Sequence, residues 1–202
     1  MTADAGTAVA PSDAAAAPQR ARILETALRL MGEQGAQNTS MRQLAAACGL
    51  NVATLYHYFP SKAAILDAVI ADKRYVEQLR ESPAPINDTL APRERLADLM
   101  RLLFEGTLAE EATLRLVIGE SLRGEQVALE AVASLSAAIE DTMRVWLGAH
   151  FAEITTDHGV VSRLLRDQLL SFCVEALATP DGHVAARLRE RAADIAALVV
   201  PD

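Results

Sequence analysis

Apolar side chains recur at spacings of three and four along most of the chain, the period of amphipathic helices. From 19 to 32 the stripe is Ile23, Leu24, Ala27, Leu28, Leu30 and Met31, and G-E-Q-G-A closes the element. Two short elements follow. Leu44, Ala45 and Cys48 line the first, with Ser40 set to cap it and Gln43, three residues on, to reach back; Gly49 ends it. Asn51 is placed to cap the second, which runs through about Phe59. There Leu55 and Phe59 share one face at a spacing of four, and Ala53, Tyr56 and His57 lie opposite. Pro60 stops that helix and Ser61 caps the next. Ile65, Leu66, Val69, Ile70, Val76 and Leu79 predict one long helix from 61 to about 80, ended by S-P-A-P-I-N-D.

The remainder reads as five helices, near 91–107 (opened by Pro92), 110–119, 122–148, 158–178 and 183–199, with the loop H-F-A-E-I-T-T-D-H-G before the last two. No strand alternation, Gly-rich phosphate loop or internal repeat interrupts the pattern. The predicted fold is therefore all-α, about nine helices, with an N-terminal three-helix helix-turn-helix head and a C-terminal helical-bundle body. Residues 1–18, rich in Ala with scattered polar residues and Pro, are expected to form a disordered tail, 19–64 the head and 65–202 the body. The long helix from 61 to 80 is the natural lever between the last two.

Composition agrees with helices: 51% of residues are apolar and only 4% aromatic. Charge changes the picture more. The net value of −8 conceals a split, since residues 20–62 hold five basic side chains against two acidic ones, whereas 63–202 hold 14 against 23. A mildly basic head on an acidic body fits a small DNA-contacting module joined to a larger part with another task. Cys48 and Cys173 fall inside apolar helical stripes and read as small buried hydrophobes of a reduced, cytoplasmic protein. The first residues lack a signal peptide's basic start and apolar run, and no stretch reaches the ~18 uncharged residues of a membrane span. No Ser/His/Asp arrangement, paired carboxylate motif or cofactor loop is present, so neither an enzyme nor a cofactor is expected. His150, Asp157 and His158 share a loop but lack a recognised metal-ligand spacing.

In a helix-turn-helix the second helix enters the major groove, which calls for a short, well-anchored element with small or polar outward side chains. Residues 51–58 meet that description. The run T-L-Y-H-Y-F-P-S-K, preceded by L-A-A-A-C-G-L, resembles the DNA-binding head of the TetR family of transcriptional regulators over about residues 19–70. The resemblance implies roles residue by residue. Arg42 corresponds to a phosphate or base-edge contact, or else is a solvated arginine. Asn51, Val52 and Ala53 begin the reading helix, and the last two, as small apolar groups, touch thymine methyls or permit close approach. Here the chain departs from the polar or basic residues of many members, so selectivity rests partly on Arg42 and on DNA shape. Thr54 and Tyr56 match phosphate-contacting hydroxyls and Lys62 a phosphate-binding lysine beside a helix N-terminus. His57 meets a phosphate or base edge, or stands free in solvent. Arg20 and Arg22 read as solvated charges or phosphate contacts.

One such module reads few base pairs, so two heads on a palindromic, two-fold operator are expected. The last two helices are the candidate homodimer interface, through Leu165, Leu169, Phe172, Leu188 and Ile195. The resemblance also implies a small-molecule pocket, for which Phe104, Leu114, Ile118, Met143, Trp146 and Phe172 are candidates, the alternative being plain core. Arg115, Glu120 and Thr142 would orient a ligand or face solvent. The expected function is a TetR-like DNA-binding transcriptional regulator, a repressor released from double-stranded DNA by a small, largely apolar effector. The alternative is an architectural or protein-partnered DNA binder without an effector.

Overall fold

The computed structural model describes residues 13–81, 85–179 and 183–201, and among them it contains ten helices and no strand. Two compact units divide the chain, Met1–Asp72 and Lys73–Asp202.

The first unit holds α1 (Asp13–Gln34), α2 (Met41–Ala47), α3 (Val52–Tyr58) and α4 (Lys62–Asp72). α1 takes in residues 13–18 of the predicted tail, a stretch whose alanines favour helix; residues 1–12 of that tail lie outside the described residues. α1 packs on α2 and α4, and α2 on α3. The centre is built from Ile23, Ala27, Leu44 and Leu55, all fully buried, with Leu24, Met31, Ala45, Cys48 and Phe59 around them. α4 buries Ile65, Leu66 and Val69, and the unit therefore closes at Asp72 rather than at 64.

The predicted helix from 61 to 80 is two helices. α4 stops at Asp72, and α5 (Tyr75–Glu81) begins after Arg74, whose φ of 48° is a left-handed value rare for a residue with a Cβ. Nothing in the apolar spacing marks this break, because Ile70 and Val76 keep helical register across it.

The second unit continues with α6 (Pro92–Leu108), α7 (Glu111–Leu122), α8 (Gln126–His150), α9 (His158–Ala178) and α10 (Val184–Val199), close to the five predicted spans. α6 packs on α9 and α10, and α8 on α5, α7 and α9. Leu96, Leu99, Met100, Phe104, Met143, Leu165, Leu169, Phe172 and Leu188 lie in one buried cluster. The loop after α8 is pinned to it by Phe151 and Ile154, both buried, and Asp157 Oδ1 then accepts the Val160 N–H at 3.0 Å to cap α9.

Leu165, Leu169, Phe172, Leu188 and Ile195, the candidate interface residues, are buried in the unit's own core, where α9 packs on α6 and α8 and α10 packs on α6. The large apolar residues left exposed on α9 and α10, among the described residues, are Val160, Val174 and Leu198. Both cysteines are free and buried, and burial pushes the Cys173 thiol up to about 11.

Candidate nucleic-acid interface

α3 is a seven-residue helix, too short to hold itself together, so its ends must be fixed by side chains and by packing. Asn51 Oδ1 accepts the Thr54 N–H at 2.7 Å at one end, and the Phe59 N–H reaches the Leu55 carbonyl at 3.0 Å at the other. α2 is held as firmly. Ser40 Oγ accepts the Gln43 N–H at 3.2 Å while the Ser40 N–H donates to Gln43 Oε1 at 2.8 Å, the reciprocal box expected from S-x-x-Q.

The turn joining them depends on Gly49 at φ +66°, which lets the Gly49 N–H donate to the Ala46 carbonyl at 3.0 Å and the Leu50 N–H to the Ala45 carbonyl at 2.8 Å. With Leu55 and Phe59 anchored inside, α3 turns Ala53, Tyr56 and His57 outward, and Tyr56 keeps half of its surface. Val52 and Thr54 are half-buried and Arg42 on α2 is exposed. Arg42, Val52, Ala53, Thr54, Tyr56 and His57 thus belong to two short helices fastened to each other. Asn51 has a defined task already, since its side-chain oxygen is spent on the cap.

Lys62 opens α4, which Ser61 caps by accepting the Ala64 N–H at 3.0 Å. Its Nζ donates to the Gln37 carbonyl at 3.1 Å, in the turn between α1 and α2. Thr39, buried in that same turn, donates to the Gly35 carbonyl and accepts from Gln34 Nε2.

Two side chains have roles that sequence reasoning missed. Arg22 Nη2 donates to the Cys48 carbonyl at 3.1 Å, and the Arg20 guanidinium lies 5.3 Å from the centre of the Phe59 ring. Both are engaged with the head itself. The Arg22 partner is 26 residues away, a separation at which helical spacing carries no signal.

The body offers a different picture from the predicted pocket. Phe104 and Phe172 pack ring to ring at 4.5 Å, Met143 and Trp146 lie in the same cluster, Leu114 packs against it, and Ile118 is half-buried on α7. Arg115 is engaged with Glu111 at 2.8 Å and the Leu177 carbonyl at 3.2 Å, and buried Glu120 with Arg123 at 3.1 Å. An open cleft of about 270 Å³ lies elsewhere, between α9 and α10, lined by Leu164, Gln168, Arg191, Asp194, Ile195 and Leu198. The polar residues of the 150–159 loop go to separate partners: His150 Nδ1 sits 2.9 Å from Asp88 Oδ1, and His158 Nε2 lies 3.3 Å from the Ile154 carbonyl. Among the described residues no helix is long and apolar enough to cross a membrane.

Residues 23–69 match the sequence profile of bacterial regulatory proteins of the tetR family. The HTH-type transcriptional regulator UidR of Escherichia coli K12 is 30% identical over 115 residues, 56% of this chain and 57% of UidR, so the chain spans little more than half of that relative's length. The nucleoid occlusion factor SlmA of Salmonella dublin is 28% identical over 159 residues, 77% of this chain and 79% of SlmA. Among solved structures, NalD, the secondary repressor of the MexAB-OprM multidrug efflux pump in Pseudomonas aeruginosa, shares the fold with a TM-score of 0.65 at 21% identity, over 93% of this chain and 99% of NalD. The fastened pair α2 and α3 lies within residues 23–69, the stretch that is similar to the tetR family of bacterial regulatory proteins.

Proposed function

We propose that the protein is a homodimeric DNA-binding transcriptional regulator that reads a palindromic site through α3. The observation that carries this is the construction of α3: capped by Asn51, anchored inward by Leu55 and Phe59, and presenting Ala53, Tyr56 and His57 from a basic head. Arg42, Thr54, Tyr56 and Lys62 supply phosphate contacts that set the register, His57 adds one at the edge, and Val52 and Ala53 meet thymine methyls. Two heads are needed for useful affinity, and exposed Val160 and Val174 on α9 and Leu198 on α10, the last of which lines the cleft with Leu164, supply apolar surface that a second copy would cover.

The action we favour is repression relieved by a small ligand in the body. Support comes from the shared fold with a Saccharomonospora viridis regulator crystallised with choline (TM-score 0.64, 24% identity) and with the repressor NalD. A second reading, DNA binding without an effector, is favoured by the 28% identity to SlmA, a protein named for nucleoid occlusion rather than for transcription, and by the packed Phe104 and Phe172 rings.

Selection of bound duplexes from a random pool, followed by a screen for compounds that release the best one, tests the whole proposal. A two-fold consensus is expected. Enrichment of no site removes DNA recognition, and release by no compound favours the second reading.

A further inference from the structure

We infer that Arg22 is a positioning residue for α3, setting how well the head discriminates between duplexes without touching DNA. The inference rests on the DNA-binding reading above and starts from the end of α2. A helix leaves its last carbonyls without intrahelical donors. Here the N–H groups of Cys48, Leu50 and Gly49 take the carbonyls of Leu44, Ala45 and Ala46 in turn. The carbonyl of Cys48, at the C-cap, accepts instead from Arg22 Nη2 at 3.1 Å. A guanidinium at a helix C-terminus is favoured by the macrodipole, and its hydrogen bond is charge-assisted.

The position of this bond matters because only Gly49 and Leu50 separate Cys48 from Asn51, the cap of α3. Gly49, at φ +66° with nothing within 4 Å of where a Cβ would stand, is the residue least able to fix its own torsions. A tether from α1 to Cys48 holds the near side of that turn, and the Asn51 cap holds the far side. The inclination of α3 against α2 decides which outward groups meet base edges. Small misplacement blunts base discrimination, whereas attraction to phosphates is electrostatic and tolerant of it.

The test uses the full-length chain, its Arg22→Gln and Arg22→Lys variants, the duplex that the wild type selects, and a scrambled duplex of equal length and composition. Affinities are measured over a salt series, well below each variant's melting temperature. Arg22→Gln is expected to lose about tenfold of the preference for the selected duplex, in line with the worth of a hydrogen bond to a charged group, while the salt slope on the scrambled duplex stays unchanged. Arg22→Lys keeps the charge but gives up the planar fork and its reach, so it also loses preference. Equal loss on both duplexes with a slope reduced by about one per head, restored by lysine, would make Arg22 a phosphate contact and overturn the inference. Unchanged preference in both variants also overturns it, leaving only a structural role. If the wild type selects no duplex, the DNA-binding reading falls first and takes this inference with it; the other outcomes concern Arg22 alone.

Discussion

Lys62 Nζ donates to the backbone carbonyl of Gln37 at 3.1 Å, so the ammonium at the start of α4 rests against the turn between α1 and α2. That bond is exposed, and an exposed bond to a neutral carbonyl is worth little. A phosphate is the stronger acceptor for the same ammonium.

Lys62→Ala is therefore expected to leave thermal stability nearly unchanged while weakening binding to every duplex alike. The slope of log affinity against log salt should fall by about one per head. Lys62→Arg should restore most of the loss. Fluorescence anisotropy over a salt series checks this, and an unchanged slope in Lys62→Ala would leave the lysine as a tie within the head.

Gly49→Ala is expected to cost about 1–2 kcal/mol of stability, because a Cβ is strained in the left-handed region. The cost is torsional and not steric, since no atom lies within 4 Å of the added carbon. Asn, which tolerates that region better, should cost less. Urea denaturation of the two variants separates strain from crowding: crowding would make the larger Asn the worse of the two.

Much of the head was legible from residues 40–62 because its determinants are local. Ser40 with Gln43, Asn51 with Thr54 and Ser61 with Ala64 each act over three residues, a distance at which sequence spacing is structure. Arg22 and Lys62 bond carbonyls 26 and 25 residues away, and a backbone carbonyl has no residue identity to read. The body was legible as helices and not as surfaces. Leu165, Leu169 and Leu188 carry the same stripe whether they meet their own unit or a second copy, and only the packing of α6 and α8 onto α9 and α10 decides between the two. The break at Arg74 was invisible for a related reason, since helical register persists through it.

The proposed interface gives a paired prediction. Phe172→Ala should destabilise the fold by about 3–5 kcal/mol through lost contact with Phe104. Leu198→Glu, on a residue 77% exposed, should change the stability of the protomer by only about 0.5 kcal/mol but shift the protein toward monomer in analytical ultracentrifugation. A fully dimeric Leu198→Glu protein would move the interface off this face of α10.

The pH dependence of the body should carry the mark of Glu110, which faces two partners at the start of α5. Lys73 Nζ donates to its Oε2 at 2.9 Å and Tyr75 Oη at 2.7 Å. The bond from Lys73, then that from Tyr75, hold the carboxyl below its ordinary 4.5. A depressed carboxyl adds stability that is present above 4.5 and lost as pH falls toward the folded value. Tyr75 moves the other way. Burial first, and after it the hydrogen bond to Glu110 and that group's charge, push its phenol well above the ordinary 10.0, so its contribution is whole below pH 10.0 and lost as pH rises beyond it. Glu110→Gln should flatten the acid limb of a stability-against-pH curve, and Tyr75→Phe the alkaline limb. Each variant should leave the opposite limb in place, because acid protonates Glu110 while Tyr75 is already neutral, and Tyr75 ionises in alkali while Glu110 stays charged. Loss of both limbs in Glu110→Gln would instead make the carboxylate the main origin of the Tyr75 shift, ahead of burial.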